Sequence, residues 1–514
     1  MKQTVLNQTI LNWTAKFAKY ILILVGILYV VKYLYIVFSR INYPFELEWM
    51  EGGILTEITR IRSGQKLYVS PSLEYVPLLY APLYFYISAA ASTIIGLTFT
   101  AQRLVSFISS LGCFYVIFLI VYKETRSKYA GILASCLFAA SYPLTGGWFD
   151  MGRVDVLFLL FLLLVVYLVK FASSSIMYIL AGIVMVLAFL TKQSALLVSL
   201  PIMLYCLLWD LRRSIYFIGT TIIVGGSVLF LLNYIHDGWY NYFFFSMAKT
   251  PLMTSSFFKD QMFAHFWKKD ILPTMPIALA LSIFFILAQF FNANKKNFLF
   301  YSIVFIDMVG ISCLSRVNPG GGQNSLLMVF ASMAILFGMA FNMILESIHT
   351  VSERGQSLIK IFLCLICVMQ FCLEPIRYNT ALYIPNQRDL EAGKELVRKI
   401  KQIEGEVFIP DSGYLSIMAG KKSYAHGAAI RDILMWDEGK PKEGLLSEIE
   451  NALQEKRFSA IVLSSNNGAE DRGPGLRYIK KYYIKQDTAF EDENVFWPVS
   501  GLAIRPEFIY VPRK

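Results

Sequence analysis

Apolar stretches long enough to cross a lipid bilayer recur from near the start of this chain to residue 373, and they restrict its fold more than any other feature. A spanning helix needs about 20 mostly apolar residues. Runs of that length or close to it lie at 21–38, 103–122, 129–145, 155–171, 176–191, 194–209, 215–232, 272–291, 298–314, 325–345 and 358–373, about eleven in all. Composition agrees, with 56% of the 514 residues hydrophobic and 16% charged, where soluble globules carry roughly a quarter of charged residues. The expected fold is an α-helical polytopic membrane protein.

Charge sets the topology. Lys2, Lys16 and Lys19 precede or open the first run and no small-x-small cleavage site follows it. That run reads as a retained span with a cytoplasmic N-terminus. The segment 79–97, LYAPLYFYISAAASTIIGL, is apolar enough to cross but contains Pro82 and a tyrosine cluster. If it does not cross, the inner loops hold Lys123, Arg126, Lys128, Lys170, Arg212, Arg213, Lys295, Lys296, Arg354 and Lys360, and the short outer loops hold only Arg153, Lys192 and Arg316. Crossing would reverse that bias. The positive-inside rule therefore lays 79–97 along the outer surface as a juxtamembrane helix of a first outer loop, 40–102. The outer face then collects this loop, the hairpin 146–155, the loop 233–271 and the tail from 374 onward.

The net charge of +11 comes without a basic block or a recognition motif, and most Lys and Arg flank apolar runs. Topology and anionic headgroups account for it, and no nucleic-acid partner is expected. Cysteines 113, 136, 206, 313, 364, 367 and 372 all sit within or at the ends of apolar runs. They imply no disulfide framework. Cys364 and Cys367 have CxxC spacing but no neighbouring His or acidic residue, so they read as packing residues.

Beyond residue 373 the composition changes abruptly. Residues 374–514 read as a small soluble α/β domain on the outer face, with helices at 386–403 and 444–456 and buried strands at 406–409 and 460–463. No Walker loop, GxGxxG or metal-spaced His cluster appears there, and a structural cap on the transmembrane domain 1–373 is the expected role.

Chemistry gathers at the outer interface. Glu46, Glu48, Glu51 and Glu57 fall within twelve residues directly after the first span, in YPFELEWMEGGILTEITRIRSGQKLY. A helix start can account for any one of them through its dipole. Arg153 and Asp155 open a long span in WFDMGRVDVLFLLFLL. Ionisable groups there line a cavity or pair, and a local Arg153 pair with Asp155 or Asp150 would satisfy them. Lys192 in FLTKQSALL and Arg316 in SRVNPGGGQNS sit at outer span ends, where each can snorkel or meet a phosphate. Three isolated cations and several carboxylates at one interface suit a substrate with a phosphate in the headgroup region, such as a polyprenyl-phosphate sugar. His236 with Asp237, and His265 near Asp260, offer metal ligands or simply surface histidines. The glycines 320–322 lack the Lys-Ser/Thr of a nucleotide loop and read as a turn over the site.

These blocks, in this order, resemble the multispanning GT-C glycosyltransferases, in particular the bacterial branch of protein mannosyltransferase-like and aminoarabinose transferase-like proteins. The resemblance covers about residues 20–345. It rests on ELEWMEGG and EITRIRSGQKLY, then YAPLYFY, RLVSFISSLGCFYVIFLIVYKETRS, GRVDVLFLLF and AFLTKQSALL. It implies a base in the first outer loop, Glu51 or Glu48, and a nearby acidic residue, Asp155. The expected substrate contacts are Arg153, Lys192 and Arg316, the isolated cations at the interface, with Tyr80 and Tyr84 of the YAPLYFY block. Two departures stand out. Met50-Glu51 replaces the family's Asp-Glu pair, and Tyr80-Ala81-Pro82 replaces a Lys before a Pro-Pro pair, so phosphate contacts come from elsewhere.

The implied reaction needs one carboxylate. A lipid phosphate leaves as a stable anion, so a base that takes the acceptor hydroxyl's proton suffices, with inversion at the anomeric carbon. Glycoside hydrolysis, with its poor leaving group, needs a second carboxyl as acid. Arg153, Lys192, Arg316 or a divalent metal ion held by carboxylates would stabilise the departing phosphate. The acceptor, whether lipid, glycan or protein, stays open. The rival reading is a transporter or a lipid-linked-glycan flippase, which predicts internal repeats and mid-span charges. No obvious repeat is found, and the charges gather at span ends, with Asp307 and Glu374 as minor exceptions.

Overall fold

A computed structural model describes residues 2–247, 260–318, 320–464 and 478–514. The first nine long helices are α1 (Lys2–Arg40), α2 (Glu51–Arg62), α3 (Leu83–Ile95), α4 (Phe99–Thr125), α5 (Lys128–Ala140), α6 (Asp155–Lys170), α7 (Ser175–Thr191), α8 (Ala195–Trp209) and α9 (Leu211–Ile235). Helices Pro276–Phe291, Lys295–Val317, Leu327–Ser347 and Glu353–Cys372 complete the apolar part.

Each predicted apolar run is helical, but the runs are not equally long. Among the described residues six helices are long and apolar enough to cross a membrane, or seven if Met262–Ile271 and Pro276–Phe291, bent by 102°, form one span. The expected run 129–145 is shortened most. Its helix α5 ends at Ala140, because Pro143 restricts the residue before it and opens a 3₁₀ turn, followed by Gly146 and Gly147 at φ 68° and 72°. The segment 79–97 yields only α3, whose 13 residues reach about 20 Å against a hydrocarbon core of about 30 Å. With α2 it forms the helical part of the loop 40–102.

The bundle is organised on Leu327–Ser347, in which every residue from Leu327 to Asn342 is buried. Gly338 lets it approach α5, since a Cβ there would lie 2.8 Å from the Ala130 carbonyl oxygen. Cys364 and Cys367 are free and buried, as packing residues should be.

The tail begins its regular structure with helix Gln387–Gln402, held at its start by a reciprocal capping box between Asn386 and Asp389. Strands β1 (Glu406–Phe408), β2 (Phe458–Ser464), β3 (Tyr483–Thr488) and β4 (Pro506–Pro512) form one sheet in the order β1-β2-β4-β3. β1 and β2 run parallel, with Val407 opposite Ala460, and the other pairings are antiparallel. Helices Gly427–Trp436 and Lys440–Gln454 fill the β1 to β2 crossover.

This sheet layer shares its core with the loop 40–102. Phe45 and Phe99 pack with Leu396, Val407 and Val462. Backbone and side-chain bonds cross the same seam: Ala425 N–H donates to the Leu73 carbonyl at 3.0 Å, Leu73 N–H to Glu448 at 2.9 Å, and Ser412 Oγ to Glu46 at 3.1 Å.

Candidate active site

A cavity of about 750 Å³ opens where the loop 40–102, the 146–155 hairpin, the end of α7, the 315–325 turn and the tail meet. Its lining includes Glu48, Tyr80, Arg153, Asp155, Lys192 and Arg316. Residues spread over more than 260 positions of the chain thus face one space. Glu51 and Tyr84 do not line it.

The electrostatic pairing differs from a local Arg153–Asp155 or Arg153–Asp150 pair. Arg153 reaches back to the first loop instead, donating from Nη1 to Glu48 Oε2 at 2.7 Å and from Nη2 to the Tyr80 hydroxyl at 2.6 Å. Asp155 accepts from Lys192 Nζ at 2.7 Å and Asn324 Nδ2 at 3.0 Å on one oxygen, and from Trp148 Nε1 at 2.9 Å on the other. Asp150 instead holds the Arg40 guanidinium through two bonds of 2.6 and 2.8 Å, which ties the end of α1 to the hairpin. The i, i+2 spacing of Arg153 and Asp155 straddles the start of α6, where the turn at 151–154 sends the two side chains to different partners.

Glu48 is the carboxylate with spare capacity. Its Oε2 also accepts the Met50 N–H at 3.2 Å, while Oε1 has no hydrogen-bond partner among the described residues. Burial pushes its carboxyl above the ordinary range, and Arg153 pulls it part of the way back. Glu51, by contrast, is saturated. Its oxygens accept from Arg103 Nε at 3.0 Å and Nη2 at 2.6 Å, from the Leu47 N–H at 2.8 Å and from the Gly152 N–H at 2.7 Å. Burial alone would raise it, but Arg103 and these donors hold it below the ordinary carboxylate range. Tyr84 likewise faces inward, donating to the Gln102 carbonyl at 2.8 Å.

Arg316 is fixed by Asp270, 2.8 Å from its Nε, and by the Gly321 carbonyl, 2.9 Å from its Nη1. The glycine turn 320–322 lines the cavity beside it. Among the described residues no group of three His, Cys, Asp or Glu could hold a metal ion, and Glu48 and Asp155 are each already matched by a protein cation. His236 lies elsewhere, accepting the Tyr68 N–H at 3.4 Å, and Asp237 pairs with Lys66 at 2.5 Å.

Several lining residues carry no signal of their own in the sequence. Trp148 and Asn324 look like ordinary interface and loop residues until Asp155 is found between them. Gly501 and Leu502 come from the far end of the tail, and nothing in their local sequence ties them to the first loop.

The sequence model described as Dolichyl-phosphate-mannose-protein mannosyltransferase matches residues 79–236. Among solved structures, the chain is similar to ArnT from Cupriavidus metallidurans in the apo state, with a TM-score of 0.58 and 12% identity over 94% of this chain and 97% of that one. The same protein bound to undecaprenyl phosphate gives 0.57 and 12% over 94% and 97%. The Archaeoglobus fulgidus oligosaccharyltransferase, in a complex with Zn and sulfate, gives 0.51 and 12% over 95% of this chain and 73% of its own. No curated protein matches this chain. At this identity the likeness is one of fold.

Proposed function

Taking the GT-C membrane glycosyltransferase fold of this chain as the premise, we propose that it moves a sugar from a polyprenyl-phosphate donor to an acceptor on the outer face of the cell membrane. The observation that carries the reading is the single cavity in which Glu48 and Asp155 meet Arg153, Lys192 and Arg316. The match to a mannosyltransferase family model and the undecaprenyl phosphate bound to a similar fold support the donor class. A transporter is disfavoured by the same fold likeness.

Glu48 is the proposed base. Its carboxylate, which lines the cavity, takes the proton of the acceptor hydroxyl as that oxygen bonds to the anomeric carbon. The bond from that carbon to the phosphate oxygen breaks, the electron pair leaves with the lipid phosphate, and the configuration inverts. Lys192 and Arg316 receive the departing phosphate, and Lys192 spends only one of its donors on Asp155. Asp155 positions Lys192 and Asn324. Glu51, Arg103 and Tyr84 support the first loop and do not touch substrate. In this reading residues 1–373 form the transferase domain, with the N-terminus cytoplasmic, and 374–514 form the outer-face module.

The test uses the full-length protein in lipid nanodiscs, a panel of synthetic polyprenyl-phosphate hexoses and pentoses, and a cell-envelope extract as acceptor. Wild type should consume one class of donor, and Glu48→Gln and Asp155→Asn should lose transfer at normal expression. Full transfer by both variants would overturn the assignment. Mass analysis of surface glycans with and without the gene would identify the sugar.

A further inference from the structure

This inference rests on the transfer reading and concerns what holds the sugar. If Glu48 deprotonates the attacking hydroxyl, the anomeric carbon lies close to it, and the donor's sugar ring must rest on whatever surrounds Glu48. Beside the Arg153 pair, those surroundings include Trp49, the residue after Glu48, and Gly501 and Leu502 of the tail.

Trp49 follows Glu48 and lines the cavity. The Arg431 guanidinium stands 5.6 Å from its ring centroid, and the His426 ring packs at 5.9 Å, tilted by 40°. Both partners are themselves fixed. His426 accepts the Ala428 N–H at 3.2 Å and abuts Gly53 of α2 so closely that a Cβ there would lie 3.1 Å from it. Arg431 sits 3.5 Å from Asp411.

The second element is the 500–502 turn. Ser500 N–H donates to the Leu47 carbonyl at 3.1 Å, and its hydroxyl donates to the Gly146 carbonyl. Gly501, at φ 72°, lies so near Glu48 that a Cβ would come within 2.8 Å of Glu48 Cγ. Leu502 also lines the cavity, yet remains 56% exposed, an apolar side chain left uncovered at the mouth of a polar site. Trp148, the other cavity indole, is committed to Asp155 through its Nε1.

We propose that Trp49 and Leu502 form the platform on which the apolar face of the donor's sugar ring rests, with Arg431 and His426 of the tail as positioning residues for the indole. The tail is then part of the substrate site. Lys192 and Arg316 take the phosphate, while the ring's C–H face packs on the aromatic and aliphatic surfaces beside Glu48.

The experiment measures kcat and KM for the polyprenyl-phosphate sugar that wild type consumes, using full-length protein in nanodiscs. Trp49→Ala should raise the donor KM about tenfold with kcat nearly unchanged, and Trp49→Tyr should recover most of it. Arg431→Met should raise the same KM by about threefold without moving the melting temperature, as expected of loosened rather than lost stacking. If Trp49→Ala does not fold, Leu502→Ala, at an exposed position, decides the matter by the same rise in KM. Transfer with an unchanged donor KM in Arg431→Met and Leu502→Ala alike, and in Trp49→Ala where it folds, would overturn the platform alone. A wild type that consumes no donor would overturn the transfer reading and the platform with it.

Discussion

Glu48 and Glu51 lie three positions apart, are both buried and both pair with an arginine, yet they belong to different regions of the molecule. The Glu51–Arg103 joint is closed. Each oxygen has two donors, and Arg103 also serves the Tyr43 and Phe45 carbonyls, both at 2.6 Å, so the pair locks the first loop onto α4. The Glu48–Arg153 pair is less complete, with one buried carboxylate oxygen unpartnered among the described residues, in a residue that lines the cavity. The difference teaches that a carboxylate's use depends on how many of its lone pairs the fold has already taken, and not on its place in a motif.

The comparison breaks most visibly in activity. Glu48→Gln should cut the transfer rate of the folded protein by about 10³, the loss expected when a positioned base is removed, whatever it also costs in melting temperature through the buried Arg153. Glu51→Gln should leave the transfer rate of the folded protein near that of wild type. It strands a buried guanidinium and should cost about 3 kcal/mol of stability, read as lower expression and earlier melting. If instead Glu51→Gln melts normally and loses transfer, the two regions have been assigned in reverse.

A third carboxylate of the same loop sharpens the contrast. Glu57 is buried and accepts from the Tyr75 hydroxyl and, at 2.9 Å, from the Leu78 N–H, but forms no salt bridge among the described residues. Burial raises its carboxyl from 4.5 to about 8. The folded state therefore holds a proton that the unfolded chain releases above 4.5. Its contribution to stability is complete below that pH and is lost as pH rises through about 8. Glu57→Gln should flatten this part of the profile, which thermal melting from pH 5 to 9 would reveal.

The smallest expected effect concerns Arg153. Glu48 must be ionised to take a proton, so transfer should rise with pH through its raised value. Arg153→Met removes the charge that lowers it and should move that acid limb upward by about 1 pH unit. An unmoved limb would mean that another group governs the rate.

Much of this architecture was legible in order along the chain. The apolar runs became helices, 79–97 gave a helix too short to span, and the tail gave the two expected buried strands, whose parallel pairing only the structure shows. The helix expected at 386–403 and the strand expected at 460–463 are local effects, and local pattern finds them. The sequence also marked Glu48, Asp155, Arg153, Lys192 and Arg316 as residues with no business in lipid. It did not reveal that α5 would stop at Ala140, nor the antiparallel strands β3 and β4, whose partners are set by distant pairing.

What the sequence determined by itself was the set of ionisable groups at one interface, because burying a charge near hydrocarbon is costly enough to show in composition and position alone. Only the tertiary structure decided which arginine each carboxylate would meet. Arg103, Arg153 and Lys192 are chemically able to pair with any of these carboxylates, and the choice follows from helix packing and the turn at 151–154. It likewise decided that Gly501 would lie against Glu48, since a contact across 453 positions leaves no trace in the local sequence of either partner.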